Sequence, residues 1–163
     1  MPEITLILTI TVLTFGFVVF FGAPFVPTRG KWAKEALELA DIKPSDTVVD
    51  LGSGSGIILK LVAQKGAQAI GYELNPILVL FSKIRLMQYK NRVQVKLANF
   101  WATDLPAKTT IVYVFAVERD AVRLEKYLTQ QKIKNLRVIT FGFSLPNHKS
   151  VRQTKAAKLY IIN

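Results

Sequence analysis

The sequence predicts an α/β protein with a doubly wound, mostly parallel sheet, preceded by one hydrophobic N-terminal helix. Three observations lead to this prediction: an uncharged apolar run at the start of the chain, short β-branched runs that alternate with helical patterns, and a glycine-rich turn after the first of those runs. Strands that alternate with helices are joined by right-handed crossovers, which make the strands parallel. The 163 residues suit about one domain of this kind.

The first 28 residues are predicted to form a transmembrane anchor. No charged residue occurs between Ile4 and Thr28, and the stretch 4–21 is almost wholly apolar. A helix of about 20 apolar residues crosses the hydrocarbon core of a bilayer. A secretory signal peptide would have a basic start, whereas this chain begins Met-Pro-Glu. A buried core helix is the remaining alternative for this segment.

The distribution of charge predicts where the rest of the chain lies. Arg29, Lys31 and Lys34 follow the apolar run and no basic residue precedes it. Because cytoplasmic flanks carry the excess of Lys and Arg, we expect a single-pass membrane protein with the domain of residues 29–163 on the cytoplasmic side. The net charge of +11 suits anionic lipid, nucleic acid or an acidic substrate, without distinguishing among them.

Periodicity and turn signals predict the elements after the anchor. Asn75 is a good helix N-cap and Pro76 suits the first helical position. Helices are predicted over about 30–40, 56–64 and 75–89 and around Val117 to Leu128, and strands over 47–51, 69–73, 93–97, 110–115, 137–143 and 159–162.

Two residue types exclude several kinds of chemistry. The chain has no Cys, which excludes disulfides, thiolate metal sites and a cysteine nucleophile. Its one histidine, His148, cannot form a multi-histidine metal site. No metal is therefore expected.

A glycine-rich loop, residues 52–56, follows the first predicted strand. Ligands of such folds bind at the carboxyl ends of the strands, where glycines let backbone amides approach closely. A dinucleotide loop, G-x-G-x-x-G, would need glycine at position 57, which is Ile57. The tighter G-x-G-x-G spacing, with Asp50 two residues before it, favours a nucleoside with an amino-acid tail. The alternative is an ordinary tight strand–helix turn.

Glu73 closes the second predicted strand. An acid at this place hydrogen-bonds the hydroxyls of a ribose, although it could also be a solvated acid at a strand end. Together with the glycine loop, Glu73 predicts a Rossmann-like domain that binds S-adenosylmethionine.

Several further motifs resemble one family, the small seven-β-strand, class I protein-lysine methyltransferases. This family includes enzymes that modify the ATP synthase c-subunit and the adenine nucleotide translocase, together with short prokaryotic relatives, and members often carry an N-terminal membrane segment. The resemblance covers roughly residues 22–146. It is carried by the stretches 24–28, 49–54, 71–76, 78–79, 99–101, 114–117, 124–126 and 137–139, of which Gly-Tyr-Glu-Leu-Asn-Pro at 71–76 is the most distinctive.

The resemblance implies a class I methyltransferase fold, S-adenosylmethionine as cofactor, and roles for matching positions. Cofactor-binding residues would be Asp50, Gly52, Ser53, Gly54 and Gly56 at the methionine end, Glu73 at the ribose, Leu74, Asn75 and Asn99 at the adenine, and Phe100 beside it. Two residues are catalytic candidates: Trp101 would line the adenine or the target-lysine channel, and Glu118, after the fourth strand, would accept the lysine proton.

The expected function is methylation of a lysine side chain on a membrane-associated protein. Methylation of a lipid amine or of RNA is an alternative. No Asn-Pro-Pro-Tyr motif for base methylation follows the fourth strand, which counts against nucleic acid as a partner. A second alternative is a membrane-tethered protein that binds the cofactor without turnover. Ser55, where the family has an acid, and the divergent residues 142–146 motivate that alternative.

Overall fold

The computed structural model describes residues 2–21, 30–116 and 118–163, and for residue 11 and residues 13–21 it describes the backbone alone. The helices are α1 (Pro2–Phe21), α2 (Gly30–Leu39), α3 (Ile57–Gln64), α4 (Pro76–Arg85) and α5 (Ala121–Gln130). The strands are β1 (Thr47–Leu51), β2 (Gln68–Glu73), β3 (Val93–Leu97), β4 (Ile111–Phe115), β5 (Leu136–Phe141), β6 (Arg152–Gln153) and β7 (Ala157–Ile162). Short 3-10 helices occupy Met87–Tyr89, Phe100–Ala102 and Glu118–Asp120.

Within the described part of the chain, seven strands form one sheet in the order β3-β2-β1-β4-β5-β7-β6. The first five strands of the chain pair in parallel, and β7 runs antiparallel to both β5 and β6. The predicted α/β architecture with a mostly parallel sheet is confirmed. The strand order reverses between β1 and β4, so the crevice outside their carboxyl ends is the expected ligand site.

Helices cover both faces of the sheet and create two core layers. On one face, Val48 of β1 belongs to the cluster that contains residues of α2, α3 and α4. On the other face, Val49 belongs to the cluster that contains residues of α5. Every residue of β1 is buried, as expected for a central parallel strand covered on both sides.

The observed boundaries differ from the predicted ones where tertiary contacts intervene. The strand β6 was not predicted, because two exposed residues have no detectable periodicity. The helix α4 ends at Arg85 instead of residue 89, since the chain tightens into a 3-10 turn after the buried Leu86. The strand β5 ends at Phe141, because Gly142 adopts a positive φ of 87°.

The helix α1 is present, but the structure does not support the predicted transmembrane anchor. Its described large apolar side chains, from Ile4 to Val12, are 52–66% exposed, so they do not form a core helix. Within the described residues, no helix is long and apolar enough to cross a membrane. Residues 22–29, which include the motif at 24–28, lie outside the described residues.

An ion pair between the buried Asp46 and the half-buried Arg137 joins several elements at the amino ends of the strands. Asp46, 5% exposed, accepts a hydrogen bond from the Arg137 guanidinium, which also donates to the Ala40 carbonyl at 2.7 Å. The Thr110 hydroxyl and the Lys43 backbone amide donate to the same carboxylate at 2.7 and 2.8 Å. These bonds connect the end of α2 to β1, β4 and β5, at the end of the sheet opposite the ligand site.

Replacing Arg137 by Met should lower the free energy of unfolding by about 3 kcal/mol, because the buried Asp46 carboxylate loses its cationic partner. Arg119→Gln is the matched control, since the Arg119–Asp120 pair is long, at 4.0 Å, and Arg119 is exposed. It should cost less than about 1 kcal/mol. Urea denaturation measures both variants, and equal losses would contradict a structural role for the buried pair.

Candidate functional site

The glycine loop after β1 adopts a backbone that favours glycine. Gly52, Gly54 and Gly56 have φ values of 93°, 52° and 78°, which lie in the region that side chains with a Cβ rarely adopt. A Cβ on Gly52 would have no neighbour within 4 Å, so open space lies beside that residue. A Cβ on Gly56 would lie 2.7 Å from a methyl carbon of Leu86. One glycine therefore leaves room for a ligand, and another permits close packing behind the loop.

The end of β2 binds this loop through its backbone. The Tyr72 carbonyl accepts hydrogen bonds from the backbone amides of Gly52 and Ser53, both at 2.9 Å. The preceding residue, Gly71, allows the close approach. A Cβ there would lie 2.5 Å from the Ser53 hydroxyl oxygen and 2.6 Å from a Leu59 methyl carbon. The glycine in the Gly-Tyr-Glu motif is thus required by packing of the loop against β2.

The Glu73 carboxylate connects the two halves of the site. One of its oxygens accepts from the Gly54 amide and the other from the Asn75 amide, each at 2.8 Å. A carboxylate has about four acceptor positions, so Glu73 retains acceptor capacity toward a ligand. The structure brings Glu73 to the glycine loop, and the ribose-binding role predicted for Glu73 remains a prediction.

Asp50 lies beneath the loop on β1. It is 3% exposed and pairs in register with Gly71 on one side and Tyr113 on the other. Burial, and secondarily the negative charge of Glu73, raise the pKa of Asp50 to about 8. Two acids therefore share this corner, and in the absence of a cation Asp50 is mostly protonated near pH 7.

The Ser53 hydroxyl is a buried polar group without a hydrogen-bond partner among the described residues. Buried hydroxyls are nearly always hydrogen-bonded, by protein or by water. An unsatisfied one inside a glycine loop therefore indicates a place where a ligand or water completes the site. Ser53 was predicted from its position in the loop, and its burial is visible only in the structure.

Asn75 begins α4 as its N-cap. Its side-chain oxygen accepts from the backbone amides of Ile77 at 2.9 Å and Leu78 at 3.4 Å, and Pro76 occupies the first helical turn. The predicted capping role is confirmed. The side-chain oxygen is engaged in the cap, so the amide nitrogen is the group of Asn75 that remains for a ligand. Leu74, between Glu73 and the cap, is half-buried.

The segment after β3 contributes an aromatic cluster. The exposed Asn99 accepts from the Trp101 amide at 3.1 Å and begins the short 3-10 helix. The Phe100 and Trp101 ring centroids are 4.5 Å apart, and Tyr127 of α5 lies 6.0 Å from Trp101. Both rings are half-buried and pack against the core on the α5 face. Phe100 and Trp101 therefore have a packing role as well as partly accessible surfaces.

Arg123 is a site neighbour that sequence reasoning missed. Its guanidinium carbon lies 4.2 Å from the centroid of the Trp101 ring, within the range of a cation–π interaction. The two residues are far apart in the chain, on the segment after β3 and on α5, and no local pattern relates them. Only the folded structure brings Arg123 and Trp101 together.

Glu118 is the exposed first residue of the 3-10 helix that follows β4. Because β4 is the neighbour of β1, this segment begins beside the glycine loop. Trp101 follows β3, which is separated from β4 by two strands. The structure thus places the two predicted catalytic residues after different strands, and their catalytic roles remain predictions.

A match to a family model shows the family of this chain. The model of the ANTKMT methyltransferase domain matches residues 50–152, more than half of the chain. The chain belongs to the ANTKMT methyltransferase family. The matched range contains every predicted site residue, and the resemblance to protein-lysine methyltransferases is confirmed.

Two relatives of this chain are named as lysine methyltransferases. The chain is 32% identical over 126 residues to an ATP synthase c-subunit lysine N-methyltransferase of Xenopus laevis, with 76% of this chain and 55% of that protein covered. It is 28% identical to a protein-lysine N-methyltransferase of Saccharolobus islandicus, with 75% and 78% covered. The chain thus spans about half the length of the Xenopus protein and most of the archaeal one.

A solved structure resembles the ANTKMT domain closely in fold. It is an RNA methyltransferase from Salinibacter ruber in complex with S-adenosyl-L-homocysteine, with a TM-score of 0.76 and 25% identity. The alignment covers 84% of this chain and 92% of that one. The seven-stranded sheet described above is therefore a class I methyltransferase fold, as predicted.

Asp50 should make stability depend on pH in a direction opposite to that of most acids. Its pKa is raised in the folded state, so the folded protein binds the proton more tightly than the unfolded chain. The stabilising contribution of protonated Asp50 is fully present below about pH 4 and is lost as the pH rises toward about 8, at up to about 1.4 kcal/mol per pH unit. Urea denaturation of wild type and Asp50→Asn across this range measures the effect, and parallel curves for the two proteins would contradict it.

Proposed function

We propose that this chain is an S-adenosylmethionine-dependent methyltransferase that methylates a lysine side chain of a membrane-associated protein. The observation that carries the proposal is the corner formed by Asp50, the glycine loop and Glu73, in a chain of the ANTKMT family. The relatives named for lysine methylation favour lysine as the target. The neighbour bound to S-adenosyl-L-homocysteine supports the cofactor.

The residues present fit this cofactor chemically. S-adenosylmethionine carries a ribose, a positively charged sulfonium and an amino-acid tail. Glu73 retains acceptor capacity for ribose hydroxyls, and the acidic pair of Asp50 and Glu73 favours a cationic ligand. Gly52 leaves open space, and the unsatisfied Ser53 hydroxyl can complete its hydrogen bonding at the loop. When bound, the cofactor supplies the methyl group that is transferred.

The contribution of the protein to such a transfer is positioning. The displacement is in line and its leaving group is neutral, so alignment of the lysine nitrogen with the methyl carbon is the main requirement. The lysine must arrive uncharged, although its ordinary pKa is about 10.4. Glu118, exposed after β4, is the proposed acceptor of its proton, and Trp101 lines the approach. An acceptor near the reacting amine is the usual form of general base catalysis.

The membrane part of the proposal rests on the sequence. The uncharged run between Ile4 and Thr28 and the basic residues after it support attachment of residues 1–28 to a bilayer, with the methyltransferase domain of residues 29–163 on the cytoplasmic side. A tethered enzyme would meet membrane proteins more often than soluble ones. A lysine near the bilayer surface is therefore the proposed target.

A second candidate is methylation of RNA. The structural neighbour with 92% coverage is an RNA methyltransferase, and the net charge of +11 suits a polyanion. The sequence lacks the Asn-Pro-Pro-Tyr motif after β4, which disfavours a base amine as the acceptor. Lysine methylation therefore has the stronger support.

Glu73→Gln should weaken binding of S-adenosylmethionine by roughly 10- to 100-fold, because a charged acceptor of hydrogen bonds is lost at the ribose. The Gln amide also places a donor against the backbone amide of Gly54 or Asn75. Isothermal titration calorimetry measures the dissociation constant. Glu38→Gln, at an exposed position of α2, is the matched control, and equal affinities for the two variants would remove Glu73 from the cofactor site.

The transfer itself is tested with isolated membranes and tritiated S-adenosylmethionine. We expect label in protein, and mass spectrometry should locate it as methyl-lysine that is missing from membranes of cells without this protein. Label that RNase releases would support the RNA candidate, and label extracted with lipid would indicate a lipid amine. Cofactor binding without any transfer would overturn the enzymatic proposal in favour of a binding protein.

A further inference from the structure

The helix α4 exposes a row of large apolar side chains that the site does not use. Ile77, Leu80, Phe81 and Ile84 are 57%, 61%, 53% and 61% exposed, and Met87 just beyond the helix is 62% exposed. We call these five side chains the α4 outer face. Folded domains rarely expose so many large apolar groups together unless the surface binds something.

The spacing of these residues forms a single stripe. The positions i, i+3, i+4 and i+7 of the α4 outer face lie on one side of a helix. The residues that pack on the sheet, Val79 and Leu86 together with Ser82, are buried and lie on the opposite side. The helix is thus apolar on two opposite sides. Such a helix is normally buried all round, whereas α4 packs beside the edge strand β3.

Positive charge surrounds the α4 outer face. Lys83 and Arg85 are exposed and occupy the two flanks of the stripe, as the rotation of about 100° per residue dictates. The segment 74–103 contains no Asp or Glu, and it carries five basic residues. These are Lys83, Arg85, Lys90, Arg92 and Lys96.

We propose that the α4 outer face docks on the surface of an anionic lipid bilayer. An apolar stripe with lysine and arginine at its margins is the pattern of helices that lie in the interface, with the apolar side chains at the boundary of headgroups and acyl chains. The basic flanks complement acidic headgroups. A second copy of this chain would bring its own basic flanks against those of the first copy, so repulsion disfavours self-association through this face.

This docking would set the orientation of the candidate active site. The helix α4 begins directly after Glu73 and its cap Asn75, so its amino end lies at the cofactor corner. Leu97 is the last residue of the neighbouring β3 and is 58% exposed. It extends the apolar surface toward the carboxyl ends of the strands. A bilayer bound to α4 would lie beside the site. Docking through α4 does not depend on which reaction the site performs.

Single-cysteine labelling tests the proposal on the full chain, because the protein has no native cysteine. Leu80→Cys places an environment-sensitive nitrobenzoxadiazole label on the α4 outer face. Val122→Cys, 67% exposed on α5 across the sheet, is the matched control. Both variants retain α1, so any attachment through that helix is common to both. Vesicles of phosphatidylcholine, with or without phosphatidylglycerol, carry a nitroxide quencher in the upper acyl region.

We expect the lipid quencher to reach the label at position 80 several-fold more effectively than the label at position 122 in vesicles with phosphatidylglycerol. Equal quenching at the two positions would overturn the proposal. So would shielding of position 80 from aqueous acrylamide before any vesicle is added, which would identify α1 or, if it grows with protein concentration, a second copy. Shielding only by added membrane proteins would likewise replace lipid with a protein partner.

The charge requirement is tested separately. The double variant Lys83→Gln and Arg85→Gln should weaken docking of the α4 outer face by roughly 5-fold for each charge removed. Lys132→Gln with Lys134→Gln, at exposed positions after α5, gives the same net charge and should leave docking nearly unchanged. The same loss in both double variants would overturn the local role of Lys83 and Arg85. Binding of S-adenosylmethionine, measured in parallel, reports any failure of the cofactor site independently.

Discussion

Two consecutive residues at the end of β2 hold the candidate site together. The Tyr72 carbonyl accepts hydrogen bonds from the first two backbone amides of the glycine loop. The Glu73 carboxylate accepts one hydrogen bond from an amide of that loop and one from an amide at the start of α4. The two bonds to the Tyr72 carbonyl are ordinary neutral hydrogen bonds, and the two to the Glu73 carboxylate are charge-assisted and stronger. Together these bonds hold the loop after β1 close to the turn after β2, which preorganises the space between them.

The rest of the fold supplies what these hydrogen bonds of Tyr72 and Glu73 require. Parallel pairing of β1 with β2 and β4 brings three carboxyl ends to one edge, and Gly71 permits the loop to lie against β2 without a collision. At the opposite edge, the bonds of Asp46 with Arg137 and Thr110 hold the amino ends of the strands. The stabilising polar network and the candidate site thus occupy different ends of the sheet, so the acids of the site need not serve as structural ion pairs.

The surface beside the site has an unusual character for the outside of a folded domain. The α4 outer face is apolar and basic at its margins, and it begins where the cofactor corner ends. The same short stretch of chain therefore carries the acid that is predicted to bind the ribose, a helix cap and a surface suited to an interface. In a family whose relatives are named for lysine methylation, such proximity would bring the reaction close to whatever covers α4.

Much of this protein could be predicted from short stretches of sequence. The buried strand β1, the glycine loop, the acid at position 73 and the cap at Asn75 each depend on residues a few positions apart, so local patterns determined them. Tertiary structure alone decided the contact of Arg123 with Trp101, the raised pKa of Asp50, the end of α4 and the exposure of its outer face. Those features arise from contacts between distant segments and from the amount of water excluded around each group, neither of which local periodicity encodes.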